Sequence, residues 1–265
     1  MWYTYAMGIS VIIPSRNEPY LRKTILDLLS NAKDEIEVIV VLDGYWEDID
    51  KIVNDKRVIY IHFPTSRGMR NAINSAIRIA KHPYILKTDA HCMFDPGFDR
   101  VLKNDCKDNY IVVPRRYRLD PVKWEVTNGR PPVDYEYIDS LDLHGVRWEE
   151  KAVERKDVMI DDIISAQGSC WFMKKDFFNK LGGLDDVNYG TFFLEFQELA
   201  FKAWTHGGRV VVDKNTWYAH WHKTKGRGYS VGASQREKAV KFIQGWRRNR
   251  KWQEVIKKFQ PMPTW

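Results

Sequence analysis

Tyr84-Ile85-Leu86-Lys87-Thr88-Asp89-Ala90-His91 is the stretch on which the fold turns, because a short β-prone run ends there in a carboxylate and an imidazole two residues apart. Tyr84 to Thr88 reads as a strand that delivers Asp89 to its carboxyl end. In an extended segment Asp89 and His91 point to the same side and can grip one cation. That donor pair suits a borderline ion such as manganese, whose open positions can also take diphosphate oxygens. The same residues also fit an ordinary turn, with Asp89 capping the following backbone and His91 exposed.

Upstream of this stretch, strands and helices alternate. Ile9 to Pro14 and Val38 to Leu42 are β-branched runs of buried-strand type, and Arg57 to Phe63 is a third strand. Leu21 to Ala32 carries Leu21, Ile25, Leu28 and Leu29 at helical spacing, and Asn71 to Lys81 carries Ala72, Ile73, Ala76, Ile77 and Ala80. Such βα units predict a mainly parallel sheet with right-handed crossovers. Ligands of these sheets bind outside the carboxyl ends of the strands, where Asp43 and Asp89 both fall. Downstream, Arg115 to Asp162 shows little periodicity and is expected to be a long, partly irregular excursion. Regular structure resumes with a strand at Gly168 to Met173, a helix from Lys175, the turn Gly182-Gly183, a helical pattern over Thr191 to His206, and a final strand over Arg209 to Val212.

Composition sets the class. The 265 residues are 44% hydrophobic and 29% charged, enough for one substantial core. No apolar run approaches the ~20 residues of a membrane-spanning helix, and the N-terminus lacks a secretory pattern. A soluble, cytoplasmic protein is expected. Cys92, Cys106 and Cys170 are too few and too scattered for a disulfide framework and are expected to be reduced. The formal charge of +7 is concentrated near the C-terminus, from Lys223 to Lys251. That end suits a solvated helix face, or contact with a diphosphate donor, a nucleic acid or an anionic surface. Gln235 to Lys258 reads as one or two basic helices whose apolar residues dock on the body.

With these motifs in order, the sequence resembles the family 2 type glycosyltransferases of the GT-A fold. Val11-Ile12-Ile13-Pro14-Ser15-Arg16-Asn17-Glu18 resembles that family's first strand and nucleotide loop, and Val40-Val41-Leu42-Asp43-Gly44 its second strand. Arg67-Gly68, with Ala72 and Asn74, is similar to the helix start that closes over the nucleoside, and Asp89 and His91 to the metal motif. The histidine form of that motif, and the acidic segment Glu195 to Trp204, resemble the polypeptide N-acetylgalactosaminyltransferases. The resemblance implies an α/β fold: a GT-A, Rossmann-like, mixed and mainly parallel sheet flanked by helices over residues 1–225. A basic C-terminal loop and helical extension follows over 226–265.

It also implies a set of roles. Pro14, Arg16, Glu18, Asp43, Arg67 and Gly68 would surround the nucleoside of a nucleotide-sugar donor, a UDP-sugar in first place. Asp89 and His91 would hold manganese, or magnesium, with His220 or His222 as a further ligand from Tyr218-Ala219-His220-Trp221-His222. His220 is the better match by motif spacing. Lys223 and Arg227 belong to a basic loop that would fold over the diphosphate. Trp171 either offers a face to a pyranose ring or packs in the core.

Glu195 and Glu198 lie one helical turn apart, so their carboxylates share a face that can point into the cleft. Glu195 is the first candidate for catalytic base or acceptor anchor. Many family members carry Glu-Asp here with the aspartate as base, whereas this chain has Phe196 in the second position, which keeps a retaining outcome open. The acceptor hydroxyl is open among a protein, a glycan and modified DNA. Two other readings are a sugar-phosphate nucleotidyltransferase and a non-catalytic nucleic-acid binder on the same fold.

Overall fold

The computed structural model describes residues 8–223, 226 and 228–265. Its first half alternates strand and helix: β1 (Ile9–Ser15), α1 (Leu21–Asn31), β2 (Ile36–Asp43), the single turn α2 (Ile49–Ile52), β3 (Val58–Phe63), α3 (Met69–Ile79) and β4 (Tyr84–Thr88). β1, β2 and β4 are buried along their whole length, which is why they read as continuous apolar runs rather than as alternating ones. Val11 and Ile13 pack on the side of α1, and Ile12 packs with α3 on the other, so the sheet separates two apolar layers.

The second half is more intricate in connection. It contains β5 (Cys92–Phe94), α4 (Phe98–Asp105), β6 (Tyr110–Asp120), β7 (Glu125–Val126), β8 (Glu136–Ile138), β9 (Gly145–Arg147), α5 (Glu149–Glu154) and β10 (Ile160–Asp162). β11 (Cys170–Lys174), α6 (Lys175–Lys180), α7 (Glu195–Thr205), β12 (Arg209–His220), α8 (Ala233–Ile243) and α9 (Arg250–Lys258) complete it. The main sheet runs β10-β12-β6-β11-β4-β1-β2-β3. β1 is parallel to β2 and β4, β2 to β3, and β6 to β12, while β11 is antiparallel to both β4 and β6. The fold is therefore α/β with a mixed, mainly parallel sheet, as expected.

Three expectations need correction. The segment from Arg115 to Asp162 is less irregular than its composition suggests, since β6 runs on to Asp120 and β8 pairs with β9. β12 continues past Val212 to His220, interrupted by a bulge at Lys214 to Thr216 opposite Pro114 and Arg115 of β6. Pro114 has no N–H to give the ladder, and an irregular strand accommodates that gap. Finally, α7 starts at Glu195 rather than Thr191, because Leu194 has φ near +52 and cannot continue a helix backwards.

α8, α9 and the residues flanking them share the core of the sheet's α7 side through Ile243 of α8, Trp246 of the turn between the helices, Trp252 of α9 and Phe259 just after it. Phe201 of α7 stacks on Trp246 at 4.2 Å between ring centroids, nearly parallel, and meets Trp252 edge-on at 5.3 Å. All three cysteines are free thiols buried in the protein. Among the described residues no helix is long and apolar enough to cross a membrane.

Asp213, just before the bulge, is fully buried, and its Oδ2 has no hydrogen-bond partner among the described residues. Burial, with the Asp105 carboxylate adding to it, pushes its pKa up to about 7. The folded state thus holds this proton more tightly than the unfolded chain. The penalty for ionisation is absent in acid and grows as pH rises from the ordinary carboxyl range to the folded value. Asp213→Asn is expected to raise the melting temperature at about pH 8 and to leave it unchanged near pH 4; thermal melts at the two pH values check this.

Candidate active site

β4 ends on the carboxyl side of the sheet and hands the chain to a tight turn, Asp89-Ala90-His91, before β5. The segment is a turn rather than the extended stretch expected, yet both side chains converge. β5 pairs with the end of β12 so that Cys92 faces His220, which carries this histidine in beside them. His91 Nε2 and His220 Nε2 face each other at 3.0 Å, and Asp89 Oδ2 lies 3.3 Å from His220 Nε2 and 3.9 Å from His91 Nε2. These three ligand atoms fit around one cation.

The protonation states suit that arrangement. Burial, together with the neighbouring His91 and His222, lowers the His220 pKa to about 3 against the pull of Asp89, so its ring stays neutral and keeps a lone pair. Burial acts to raise the Asp89 carboxyl, but Lys87 and the two histidines outweigh it and hold the group ionised. His91 turns its other ring nitrogen, Nδ1, to Glu18 Oε2 at 3.1 Å. A carboxylate behind an imidazole fixes the ring's orientation and its tautomer. His222 stays outside the three-atom cluster, with its ring edge-on to His220 at 4.9 Å. The geometry thus brings His220, the better match by spacing, together with Asp89 and His91, and leaves its rival His222 to one side.

Behind Asp89 lies a buried cation. Lys87 Nζ donates to Asp89 Oδ1 at 2.8 Å, to the Gly168 carbonyl at 2.5 Å and to Glu195 Oε2 at 3.2 Å. Burial opposes its charge, but the two carboxylates prevail and keep it protonated. Glu195, the first residue of α7, also accepts from Trp171 Nε1 at 2.7 Å. Burial raises the Glu195 pKa, with Lys87 and Trp171 opposing. Glu195 lines a cleft together with Asp89, Arg116 and His222. An adjoining cleft is walled by Pro14, Glu18, Asp89, His91, His220, Lys223 and Tyr229. Lys223 closes an ion pair onto Glu18 across it.

The family model of Glycosyl transferase family 2 matches residues 10–182, from β1 through Asp89 and His91 to the turn after α6. The chain belongs to that family. Among curated relatives, it is 27% identical over 107 residues to the poly-beta-1,6-N-acetyl-D-glucosamine synthase of Staphylococcus epidermidis, covering 38% of this chain and 26% of that protein. It is 35% identical over 88 residues to an uncharacterised glycosyltransferase of Haemophilus influenzae, covering 31% of this chain and 35% of that one. The chain thus spans about a quarter and a third of these relatives' lengths. Among solved structures, GalNAc-T7 with UDP, GalNAc and Mn2+ superposes over 99% of this chain and 52% of its own, with a TM-score of 0.76 at 16% identity. Staphylococcus aureus TarS 1–349 in complex with UDP-GlcNAc superposes over 92% and 67%, with a TM-score of 0.62 at 15% identity. At such identities the likeness is one of fold, and the fold is GT-A.

Within this family 2 domain the remaining predicted residues fall in three groups. Pro14, Glu18, Asp89 and Lys223 line the cleft, whereas Arg16 is not among its lining residues and donates to Ser66 Oγ at 2.8 Å. Asp43, Arg67 and Gly68 do not line it. The fully buried Asp43 accepts from Ser66 Oγ at 2.9 Å, Arg67 N at 2.6 Å and Gly68 N at 2.9 Å, so its carboxylate holds the loop that starts α3. Gly68 needs φ of +89, and a Cβ there would meet Thr191 at 2.8 Å. The exposed Arg67 lays its guanidinium over Phe63 at 4.5 Å. Trp171 is fully buried and stacks on Phe178, so neither ring face is open to a sugar. Arg227 lies outside the described residues.

Glu198 is corrected as well. Its side chain is fully buried away from the cleft, paired with Arg70 and Lys202 and accepting from Asp185 N at 2.9 Å. Arg70 is equally buried, donates to the Phe193 carbonyl at 2.5 Å, and lies over the Tyr189 ring at 4.5 Å. One turn of α7 therefore separates a cleft carboxylate from one that bolts the helix to α3. Lys87 was the residue missed from sequence, although a signal existed: a lysine within an apolar strand, two residues before Asp89 and so on the same side.

Two outcomes follow from this geometry. His91→Ala and His220→Ala should abolish tight Mn2+ binding in isothermal titration, Glu18→Gln should weaken it roughly 10–100-fold, and His222→Ala should change it least. Glu198→Ala strands the Arg70 charge in the interior and should cost about 3–5 kcal/mol of stability, read from urea denaturation.

Proposed function

We propose that this domain transfers a sugar from a nucleoside diphosphate donor, a UDP-sugar, to an acceptor hydroxyl. The observation that carries the reading is the convergence of Asp89, His91 and His220 at the carboxyl edge of the sheet, beside a cleft that opens on the nucleotide loop of β1. The three residues would hold a divalent cation, manganese or magnesium, which would neutralise charge on the departing diphosphate. The fold shared with GalNAc-T7 bearing UDP and Mn2+, and with TarS bearing UDP-GlcNAc, supports the same donor class.

In the transfer, the acceptor oxygen forms a bond to the anomeric carbon as the bond from that carbon to the diphosphate breaks. The hydroxyl proton needs a base. Glu195 stands in the adjoining cleft beside Asp89, and each of its oxygens accepts one internal hydrogen bond and retains a second lone pair. Its raised pKa makes it a better base than an exposed carboxylate, and Lys87 and Trp171 hold it in one orientation. Lys87 also spaces Glu195 from Asp89, so that one carboxylate faces the cation and the other the acceptor.

The test is metal-dependent release of UDP from UDP-GlcNAc and UDP-GalNAc. Wild type is expected to release UDP, with water as the default acceptor. Asp89→Ala and His91→Ala should lose the activity while remaining folded, and full activity in both would sink the metal assignment. Glu195→Gln should bind UDP and Mn2+ normally and turn over roughly 10²–10⁴-fold more slowly. Formation of N-acetylhexosamine 1-phosphate, with UTP when pyrophosphate is added, in place of UDP would indicate nucleotidyl transfer instead.

A further inference from the structure

A second groove adjoins the donor cleft, and its lining is unusual in charge. Arg116 and Arg118 reach it from β6, Arg130 from the loop after β7, and Arg147 from the end of β9, while His222 and Lys223 form the wall shared with the donor cleft. Tyr117, Pro131 and Val133 fill the rest, and no acidic residue lines it among those described. The cations differ in how they are balanced. Arg116 is buried, donates to Glu136 Oε1 at 2.7 Å and to Gln167, and forms a neutralised floor. Arg147 is exposed and has Glu149 at 3.4 Å, and Lys223 is paired with Glu18. Arg118, half-buried, and Arg130, exposed, have no carboxylate partner among the described residues.

Concave basic surface of this kind concentrates field and selects anions. Guanidinium forks arriving from three separate elements match a group with several oxygens around one centre better than a carboxylate, whose two oxygens one arginine can satisfy. The placement relative to the chemistry gives the group its identity. Arg116 and His222 line both this groove and the cleft that holds Glu195 and Asp89. A molecule that presents a hydroxyl to Glu195 therefore extends over Arg116 towards Arg118 and Arg130. We propose that the acceptor is a carbohydrate bearing phosphate, and that Arg118, Arg130 and Arg147 bind that phosphate beside the hydroxyl being glycosylated. Among the described residues the groove offers Tyr117, whose ring is edge-on to Trp217 at 5.8 Å, and His222, without a tryptophan or phenylalanine, so these residues lack the series of stacking faces that unpaired bases need. This assignment rests on the transferase reading above.

The test uses the full chain saturated with UDP and Mg2+, so that the donor cleft is filled. Line broadening in the 31P spectrum of glucose 6-phosphate reports binding to the wild type and to the Arg118→Gln/Arg130→Gln/Arg147→Gln variant. These side chains are half-buried or exposed, and unchanged UDP affinity confirms that the variant is folded. The proposal expects saturable, salt-sensitive binding to wild type, weakened at least about tenfold in the variant. Equal binding by the two proteins, or none by UDP-loaded wild type, overturns it. Glucuronate binding as well as glucose 6-phosphate would overturn the choice of phosphate. A 20-nucleotide single-stranded DNA that binds more tightly than glucose 6-phosphate, and loses that binding in the variant, would make the groove a nucleic-acid site and overturn the carbohydrate. Failure of wild type to bind UDP at all would instead remove the transferase reading on which the inference stands.

Discussion

Lys87 places an ammonium group with almost no solvent contact at the carboxyl end of the central strand β4, where it answers to two carboxylates from different parts of the chain. Asp89 follows two residues later, at the start of the turn after β4, and Glu195 comes from the start of α7. Without the ammonium, two carboxylates this deep would repel each other, and one would take up a proton. They nonetheless part company: Lys87, with the two histidines, overcomes burial and drives Asp89 below the usual carboxylate range, whereas burial lifts Glu195 above it against the pull of Lys87. One is fit to hold a metal and the other to accept a proton, and both depend on the same partner. The Gly168 carbonyl completes the cage, so the strand, the β10–β11 connection and the helix are fixed together at one point.

A second buried pair, Arg70 with Glu198, repeats this arrangement one helical turn further on. It binds α7 to α3 and, through Arg70, to the backbone of Asp185 and Phe193. The N-terminus of α7 is thus clamped twice, once towards the chemistry and once towards the scaffold. Buried ion pairs of this kind add little net stability compared with apolar packing, yet losing one partner is severe. Their value here is positional. They hold Glu195 at the cleft wall and leave Glu198 no freedom to reach it.

The sequence made the first four strands legible because helices cover both faces of the sheet, which leaves continuous β-branched runs in Ile9 to Ser15 and Ile36 to Asp43. Asp89 and His91 were legible through chemical type and place in the strand order. Choosing His220 over His222 was not a matter of type, since both sit in one short aromatic segment. Motif spacing favoured His220, and what brings its ring beside Asp89 and His91 is its pairing with Cys92, a long-range register that no local pattern carries. β6 was hidden because Pro114, Arg115 and Arg116 look like loop residues, although Arg115 and Arg116 are satisfied by Asp134 and Glu136 in the fold. Trp171 and Asp43 are of residue types that suit a ligand, yet the fold engages both internally: Trp171 packs in the core, the second of its two sequence readings, and Asp43 holds the loop before α3.

The bulge in β12 has a bearing on how this domain can vary. Before it, Asp213 stands opposite Pro114; after it, Trp217 stands opposite Arg115, and the ladder then runs unbroken to His220. The position of His220 is therefore measured from the far side of the bulge, not from the start of the strand. Side chains at Lys214, Asn215 and Thr216 can change while that measure is kept, but an insertion or deletion that reaches the rungs beyond it would turn Ala219 or Trp221 towards Asp89 and His91 in place of the imidazole. The loop-like triplet acts as a spacer whose length, more than its chemistry, is constrained by the site.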